Sequence, residues 1–410
     1  MDSMKQPLRA NSQPRDALMT ALVLGPFLLT PSLGLFQKVD SVWSLVYFLL
    51  GEILLAICGW HRRRIVAWFS GLAASTVGVG FIASFLLIVA AFAVLYPIAN
   101  ARNHLGGGSD QDEANNLAAA ALLRGDYPYY PLTYLDNPLS SMPGSIVLAV
   151  PFYLIGNAAY QNLFWLAALC AVAAWRFANG GLALLQLCCL LGLCPVVWHS
   201  LVTGNDLFAN TLYVLVALQC FVAAIPDANA GVTPKVLAAV FLGVAMASRT
   251  NFLLLLPMTA VFVGVRAGWS RMLVYAVIAA LVFFSLNVPF WLYDPEHFGP
   301  TAKQNVFQYV EGVVPNVQVV MPGISVAVAL AMCVFAWRDA ESTFWWKCAI
   351  IQAVPVVSIT ALHMWSVRWP SFLWIIYGQM ALMLGSWAYW SAVANQDNVE
   401  RSNVISATST

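Results

Sequence analysis

Charged residues are scarce in this sequence. Only 9% of its 410 residues are charged, 61% are hydrophobic, and the mean hydropathy is +0.76. Soluble globular proteins carry about 25% charged residues, so this composition excludes a soluble enzyme and a disordered chain. The balance of 19 basic against 18 acidic residues excludes a nucleic-acid-binding surface as well. A multi-span membrane protein is the class that remains.

Cysteine is missing from the polar segments. All 8 cysteines lie in apolar stretches, so the sequence contains neither a disulfide framework nor the spacing of a zinc site. We interpret them as packing residues. The sequence also has no internal repeat, and the glycine-rich segment 106–109 lacks the Lys and Ser/Thr that end a phosphate-binding loop. No nucleotide site is therefore predicted.

Long apolar runs make up most of the chain. A spanning helix needs about 20 apolar residues, and the clear runs are 17–36, 42–60, 71–97, 160–177, 182–201, 207–225, 271–292, 319–337, 344–362 and 369–390. Two stretches are ambiguous. Residues 144–156 would form a helix only about 20 Å long against a hydrocarbon core of about 30 Å. Residues 236–265 are too many for one span, and Arg249 interrupts them.

Basic residues assign the sides of the membrane, because cytoplasmic loops are enriched in Lys and Arg. The first cytoplasmic markers are Lys5, Arg9, Arg15 and the His-Arg-Arg-Arg run 61–64. Loop 98–143 is then outside. If 144–156 does not cross and 236–265 is a hairpin with Arg249 at its outer tip, 13 of the 19 basic residues are cytoplasmic; if 144–156 crosses, only 9 are. The first arrangement predicts an all-α polytopic membrane protein with about 12 transmembrane helices.

Both termini are cytoplasmic in this arrangement, and we expect the protein in the plasma (inner) membrane. The basic N-terminus resembles that of a signal peptide. The apolar run that follows it reaches residue 36 without a small-residue cleavage site, so the sequence predicts an uncleaved first span.

The first outer loop contains an acidic segment followed by an alanine-rich run. Asp110 and Glu113 have the spacing of a capping box, and Gly125 is a typical left-handed residue at a helix end. We therefore predict a short interfacial helix with Asp110 as its N-cap. Capping does not explain Asp112. An ionised carboxylate within hydrogen-bond reach of a hydroxyl can act as a general base, which is the chemical interpretation of Asp112.

Three tyrosines follow the predicted helix, at Tyr127, Tyr129 and Tyr130. They can stack on a sugar ring, or they can form an aromatic belt at the membrane interface. The sequence leaves both alternatives open.

The motifs of this loop and of later loops resemble those of GT-C-fold glycosyltransferases, which are polytopic enzymes that use polyprenyl-phosphate-linked sugars. The residues that carry the resemblance are Asp112-Glu113, Ala120, Gly125-Asp126-Tyr127-Pro128-Tyr129, Pro138, Met142-Pro143-Gly144, residues 150–156, Cys194-Pro195, Thr203-Gly204-Asn205-Asp206, Leu242-Gly243-Val244-Ala245, Ser248-Arg249-Thr250-Asn251 and Pro257. They lie within 71–265, about half of the chain. The two spans in 17–60 precede the family's usual first helix and look like an addition.

The resemblance implies a mannosyltransferase-like membrane enzyme that moves a sugar from a polyprenyl-phosphate donor to a hydroxyl of a lipid or glycan acceptor at the outer face. It implies that Asp112 is the catalytic carboxylate, with Asp110 and Glu113 as the next candidates. A divalent metal ion is an open expectation, since the acidic cluster lacks a recognisable ligand spacing.

Further candidates would bind the substrates. Asp206 would orient the acceptor or hold a metal ion; its alternative role is the N-cap of a helix that starts at Leu207. Arg249 would bind the lipid phosphate, unless it only snorkels to the interface. His297 or Lys303 would stabilise the departing phosphate, although a solvated loop also explains them. Asn251, Tyr127, Tyr129 and Arg368 complete the predicted substrate-binding set.

We divide the chain into a cytoplasmic segment with an accessory hairpin (1–68), a GT-C-like catalytic membrane module (69–293), an outer loop (294–318), C-terminal spans (319–396) and a cytoplasmic tail (397–410).

Two other classes compete with the transferase. A secondary transporter or lipid flippase predicts ionisable residues near the bilayer midplane, broken helices and related halves, whereas only Glu52 lies at depth. A non-catalytic scaffold leaves the acidic loop unexplained. The discriminating observation is spatial, because a transferase requires Asp112, Asp206, Arg249 and His297 to converge on one outward cavity.

Overall fold

The chain folds into a bundle of helices. The computed structural model describes residues 13–101, 109–301, 307, 310–334 and 336–408, and it describes side chains within 17–397. Over these residues the only extended pairing is an isolated bridge between Leu132 and Pro138. The predicted all-α class is confirmed for the part of the chain described.

The α-helices are α1 Gln13–Gln37, α2 Ser41–Trp60, α3 Arg62–Ser70, α4 Ala74–Ala101, α5 Gln111–Arg124, α6 Pro143–Leu154, α7 Gln161–Phe177, α8 Gly180–Leu193, α9 Pro195–Val202, α10 Asp206–Ala224, α11 Val232–Met246, α12 Leu256–Ala267, α13 Trp269–Tyr293, α14 Val317–Cys333, α15 Glu341–Val367 and α16 Gln379–Thr408. Short 3-10 helices are Ala158–Tyr160, Thr250–Leu255, Gly299–Thr301, Ala336–Arg338 and Leu373–Gly378.

Several of these helices are long and apolar enough to cross a membrane. Among the described residues, 8 qualify: α1, α2, α4, α10, α13 and α15, together with α7 and α12 when each is joined to the 3-10 helix before it; a ninth is added if the bent pair α8–α9 is one span. The chain is therefore a polytopic helical membrane protein. The helices α6, α11 and α14 are apolar but shorter.

Helix α10 occupies the centre of the bundle. Within its apolar window 83% of the residues are buried, against 11% in α4 and in α13. A helix that is apolar on all sides faces either other helices or lipid, and α10 is of the first kind. Since Asp206 is its first residue, the central helix begins with a carboxylate.

Helices α8 and α9 meet at an angle of 84°, so the prediction of one continuous helix over 182–201 is wrong. The bend follows from Pro195, which has no N–H to donate and restricts Cys194 to a non-helical conformation. Two side chains bond carbonyls near the break: Tyr47 Oη donates to the Leu193 carbonyl (2.7 Å) and Trp198 Nε1 to that of Leu191 (2.8 Å). The broken helix is thus stabilised from both sides.

The last helix begins later than its apolar run predicts. Residues 369–390 were expected to form one helix, but α15 ends before Arg368 (φ 53°), and α16 starts only at Gln379. Pro370 disfavours helical geometry in the residue before it. The Gln37 amide at the end of α1 holds this connection, donating to the Pro370 carbonyl (2.6 Å) and accepting from the Phe372 N–H (2.5 Å).

Candidate functional site

Helix α5 presents the acidic segment to the bundle. It covers Gln111–Arg124 and ends at Gly125, whose φ is 79°, as the sequence predicts. The predicted capping box is wrong. Asp110 occupies the N-cap position without a side-chain cap bond, and its Oδ2 accepts from Thr133 Oγ1 (2.8 Å) and Asn137 Nδ2 (2.9 Å).

Glu113 is engaged in the same way. Its Oε2 accepts from the backbone N–H of Tyr134 at 2.9 Å, so it does not reach back to the start of α5. Asp110 and Glu113 together fasten the segment that follows α5 against the helix. The two carboxylates face this segment, so they bond its residues instead of capping α5.

Asp112 points into the bundle. Asp112 is 3% exposed. Its Oδ2 accepts a hydrogen bond from Tyr96 Oη at 2.5 Å. Its Oδ1 is buried and has no hydrogen-bond partner among the described residues. Burial raises the pKa of Asp112 to about 6, although the Tyr96 hydrogen bond acts to lower it. A carboxylate with a free oxygen and a pKa near neutrality is suited to exchange a proton.

Two asparagines extend this contact. Asn157 Nδ2 donates to Tyr96 Oη (2.7 Å) and Asn116 Nδ2 donates to Asn157 Oδ1 (3.2 Å). Sequence reasoning missed Tyr96, Asn116 and Asn157. The Asn-Asn pair one turn after the acids was the available signal.

The turn before α10 packs closely on Asp112. Gly204 has a φ of 66°, and a Cβ placed on it would lie 2.9 Å from Tyr96 Cε2 and 3.0 Å from Asp112 Cβ. Only glycine fits both this conformation and this approach. The next residue, Asn205, caps α10 by accepting from the Leu207 N–H at 2.9 Å.

The alternative role of Asp206 as N-cap is therefore wrong, because Asn205 takes that position and α10 starts at Asp206 itself. Asp206 is 0% exposed. Its Oδ1 lies 2.7 Å from Arg249 Nη2, and its Oδ2 accepts from Ser141 Oγ (3.1 Å) and Asn115 Nδ2 (3.3 Å). Asn210, with its amide oxygen facing Arg249, accepts from Nε at 2.9 Å. The guanidinium is turned into the protein rather than towards the interface.

Asp112 and the Asp206–Arg249 pair are connected through one face of α5. Asn115, which bonds Asp206, follows Asp112 by three residues, the spacing that places side chains on the same helix face. The end of α4, the start of α10 and the turn before Thr250–Leu255 thus meet at one site.

No family model, curated protein or solved structure matches this chain. The interpretation of the site therefore depends on the chemistry of its own residues.

The tyrosines after α5 form a separate aromatic cluster at the end of α13. Tyr127 Oη donates to the Phe290 and Asp294 carbonyls (3.0 Å each), and its ring stacks on Tyr293 with centroids 5.0 Å apart. Tyr127 and Tyr129 are buried, whereas Tyr130 is 52% exposed. Packing occupies the first two rings, so Tyr130 is the one ring of the three that solvent reaches.

His297 belongs to this cluster and not to the Asp112 site. Its Nδ1 lies 2.8 Å from Asp294 Oδ2, which also accepts from Tyr130 Oη (3.1 Å). No contact described for it reaches Asp112, Asp206 or Arg249. Of the four residues expected to converge, Asp112, Asp206 and Arg249 lie at one site and His297 does not.

The remaining candidates lie elsewhere. Asn251 and Gln352 bond reciprocally, through Nδ2 to Oε1 (3.0 Å) and Nε2 to the Asn251 carbonyl (2.9 Å). Arg368 is exposed at the end of α15. Lys303 lies outside the described residues. Among the residues that are described, no group of three or more His, Cys, Asp or Glu could hold a metal ion.

An apolar groove of about 320 Å³ opens between α11, α12 and α13. Met246 and Leu253, which line it, lie on either side of Arg249 in the chain. Its one polar lining residue, Thr259, donates its hydroxyl hydrogen to the Leu255 carbonyl at 2.8 Å. The groove therefore suits a hydrocarbon chain.

Substituting Gly204 tests how closely this turn must approach Asp112. We expect Gly204→Ala to destabilise the protein by roughly 1–3 kcal/mol, because the new Cβ crowds Tyr96 and Asp112 in a left-handed conformation. Thermal unfolding in detergent measures the loss.

Gly125→Ala is the matched control for that substitution, since Gly125 is also left-handed but has nothing within 4 Å of its added Cβ. Equal losses in the two variants would contradict the crowding at Gly204.

Proposed function

We propose that this protein is a GT-C-type membrane glycosyltransferase that transfers a sugar from a polyprenyl-phosphate donor to an acceptor hydroxyl at the outer face of the plasma (inner) membrane. The observation that supports this best is the buried Asp112, with one free oxygen and a pKa of about 6, beside the Asp206–Arg249 pair.

The proposal includes a topology of about 12 spans, formed by α1, α2, α4, α7, the bent pair α8–α9 and α10 to α16. Helix α5 then lies at the outer interface, α6 does not cross, and both termini are cytoplasmic. Successive spans in this order bring the end of α4, the start of α10 and the turn at Arg249 to the same side. That arrangement agrees with two hydrogen bonds, from Tyr96 to Asp112 and from Asn115 to Asp206.

Asp112 is the general base in this mechanism. Its free Oδ1 accepts the proton of the acceptor hydroxyl while that oxygen bonds to the anomeric carbon and the bond from this carbon to the phosphate oxygen breaks. Tyr96 Oη, bonded to Oδ2, fixes the orientation of the carboxylate. The products are the glycosylated acceptor, the polyprenyl phosphate and a protonated Asp112.

Arg249 meets the charge that develops on the leaving phosphate. A guanidinium has several N–H donors, and those left after the contacts to Asp206 and Asn210 can bind phosphate oxygens. Asp206 keeps the guanidinium in place. The apolar groove, whose lining includes residues on either side of Arg249 in the chain, would take the first isoprene units of the donor.

A secondary transporter or flippase is the second candidate, favoured by the broken helix α8–α9, since broken helices occur at transporter binding sites. Purified protein in nanodiscs, incubated with a panel of radiolabelled polyprenyl-phosphate sugars, separates the two. A labelled glycosylated product supports the transferase. Movement of intact donor across liposome membranes, without a glycosylated product, would contradict the transferase and support the flippase.

Transfer should depend on pH through Asp112. Only the ionised carboxylate accepts a proton, so the rate should be low in acid and rise around pH 6, where burial places the pKa. Tyr96→Phe removes a hydrogen bond that lowers this pKa, so the midpoint should move to higher pH. Initial transfer rates measured across the acid-to-neutral range test both statements, and coincident profiles for the two proteins would contradict the role of Tyr96.

A further inference from the structure

A second cavity, of about 270 Å³, lies next to the Asp112 site. The end of α1, the start of α5, the α9–α10 turn and the Leu373–Gly378 helix form its walls. The lining residues used below are Lys38, Asp110, His199, Asn205, Trp374 and Tyr377. Asp110 and Asn205, which line the cavity, lie close in the chain to Asp112 and Asp206.

Two groups on the cavity wall have unused hydrogen-bonding capacity. Lys38 is exposed at the rim and takes part in none of the ion pairs found among the described residues. His199 Nδ1 is buried and has no hydrogen-bond partner among the residues described. Lys38 and His199 both line this cavity.

Other lining residues contribute different chemical groups. Asp110 lines the cavity, with its Oδ2 already bonded by Thr133 and Asn137, and its second oxygen offers an acceptor to a hydroxyl. Trp374 and Tyr377 stack with centroids 6.0 Å apart and an interplanar angle of 27°. A ligand that matches every wall has hydroxyl groups, one ring face and one anionic group.

The size of the cavity limits this ligand. Its volume lies just below the usual range of small-molecule sites, roughly 300–1,000 Å³, so it has room for about one monosaccharide. We propose that this cavity binds a phosphate-bearing, sugar-sized ligand and that Lys38 holds the phosphate. This binding does not depend on sugar transfer.

The N-terminal hairpin of α1 and α2 would then take part in ligand binding. Lys38 directly follows α1, and the amide of Gln37 clamps that helix end to Pro370 and Phe372. The clamp fixes the rim position of Lys38 next to the Leu373–Gly378 wall. The hairpin, which lies outside the stretch resembling GT-C enzymes, then contributes a binding residue.

Equilibrium binding to the full chain in nanodiscs tests the proposal. The soluble probe is glucose 6-phosphate, with glucose as its neutral control. The lipid probe is phosphatidylinositol in the nanodisc, with phosphatidylcholine as its control. Lys38→Gln should weaken binding of the phosphate probe about tenfold, as expected for the loss of a charge-assisted hydrogen bond, and Lys38→Arg should retain most of it. Arg124→Gln is the matched control, because Arg124 is exposed and pairs with Asp126 away from the cavity.

The pattern of binding decides the outcome. Lys38-dependent binding of glucose 6-phosphate identifies a free sugar phosphate as the ligand class, and Lys38-dependent binding of phosphatidylinositol identifies a lipid headgroup. Binding no tighter than that of the neutral controls overturns the proposal. Equal affinities of wild type and Lys38→Gln overturn it too. Circular dichroism of each variant verifies that it is folded, and none of these readouts requires transferase activity.

Discussion

Asp112→Asn should reduce sugar transfer by at least about a hundredfold, since general-base catalysis contributes roughly 10²- to 10⁴-fold. The amide is nearly the same size as the carboxylate, and its carbonyl oxygen can still accept from Tyr96 Oη. The variant should therefore insert and fold normally. What it loses is an acceptor for the proton of the attacking hydroxyl. Initial rates with a radiolabelled polyprenyl-phosphate sugar measure the effect.

Asp126→Asn is the control for this variant. It removes a carboxylate from the same loop, but Asp126 is exposed and pairs only with Arg124 among the contacts described, so transfer should stay near the wild-type rate. Transfer by Asp112→Asn at a rate close to that of Asp126→Asn would remove Asp112 from the mechanism.

Arg249→Ala should be strongly destabilising. It leaves the Asp206 carboxylate, whose side chain is 1% exposed, without its cation. Removing one partner of a buried pair costs roughly 3–5 kcal/mol, because the remaining charge is uncompensated. The Ser141 and Asn115 bonds to Asp206 place the loss towards the lower end of this range. Thermal unfolding in detergent measures it.

The double variant Asp206→Asn, Arg249→Ala separates the effect of Arg249 on stability from its effect on donor binding. Removing both charges should restore most of the stability, because no unpaired buried charge remains. It should not restore donor binding, because the guanidinium that contacts the phosphate is still absent. Donor KM measured for the single and double variants provides the comparison. A double variant that regains both stability and donor affinity would reduce Arg249 to a structural partner of Asp206.

The sequence was a sound guide where local chemistry decides structure. Composition was enough for a polytopic helical membrane protein, because charge is incompatible with the hydrocarbon core. The end of α5 at Gly125 was predictable as well, since left-handed geometry favours glycine. The separation of α11 and α12 near Arg249 followed from an Arg within an otherwise apolar stretch.

Side-chain partners were not predictable in the same way. Local spacing favoured Asp110, Glu113 and Asp206 as caps, but each is engaged by residues distant in sequence. Tyr96 lies in an apolar run, and nothing local distinguishes it from a lipid-facing tyrosine. Such contacts depend on how helices pack, and a single sequence contains no record of that packing.

The bend at Pro195 was missed for a different reason. The residues on both sides of Pro195 are apolar, so the hydropathy pattern alone does not indicate a break there, although the sequence contains the proline. Its freed carbonyls are bonded by Tyr47 and Trp198, which makes a broken helix tolerable inside a bundle.

The Gln37 clamp has a consequence for biogenesis. A ribosome releases α1 and α2 into the bilayer long before Pro370 and Phe372 have been synthesised, yet these two residues hold the end of α1. Tyr389, whose hydroxyl lies 3.2 Å from that of Thr20, is made later still. Helix α1 can therefore pack on α2 early, but it acquires these contacts only after the residues up to 389 have been synthesised.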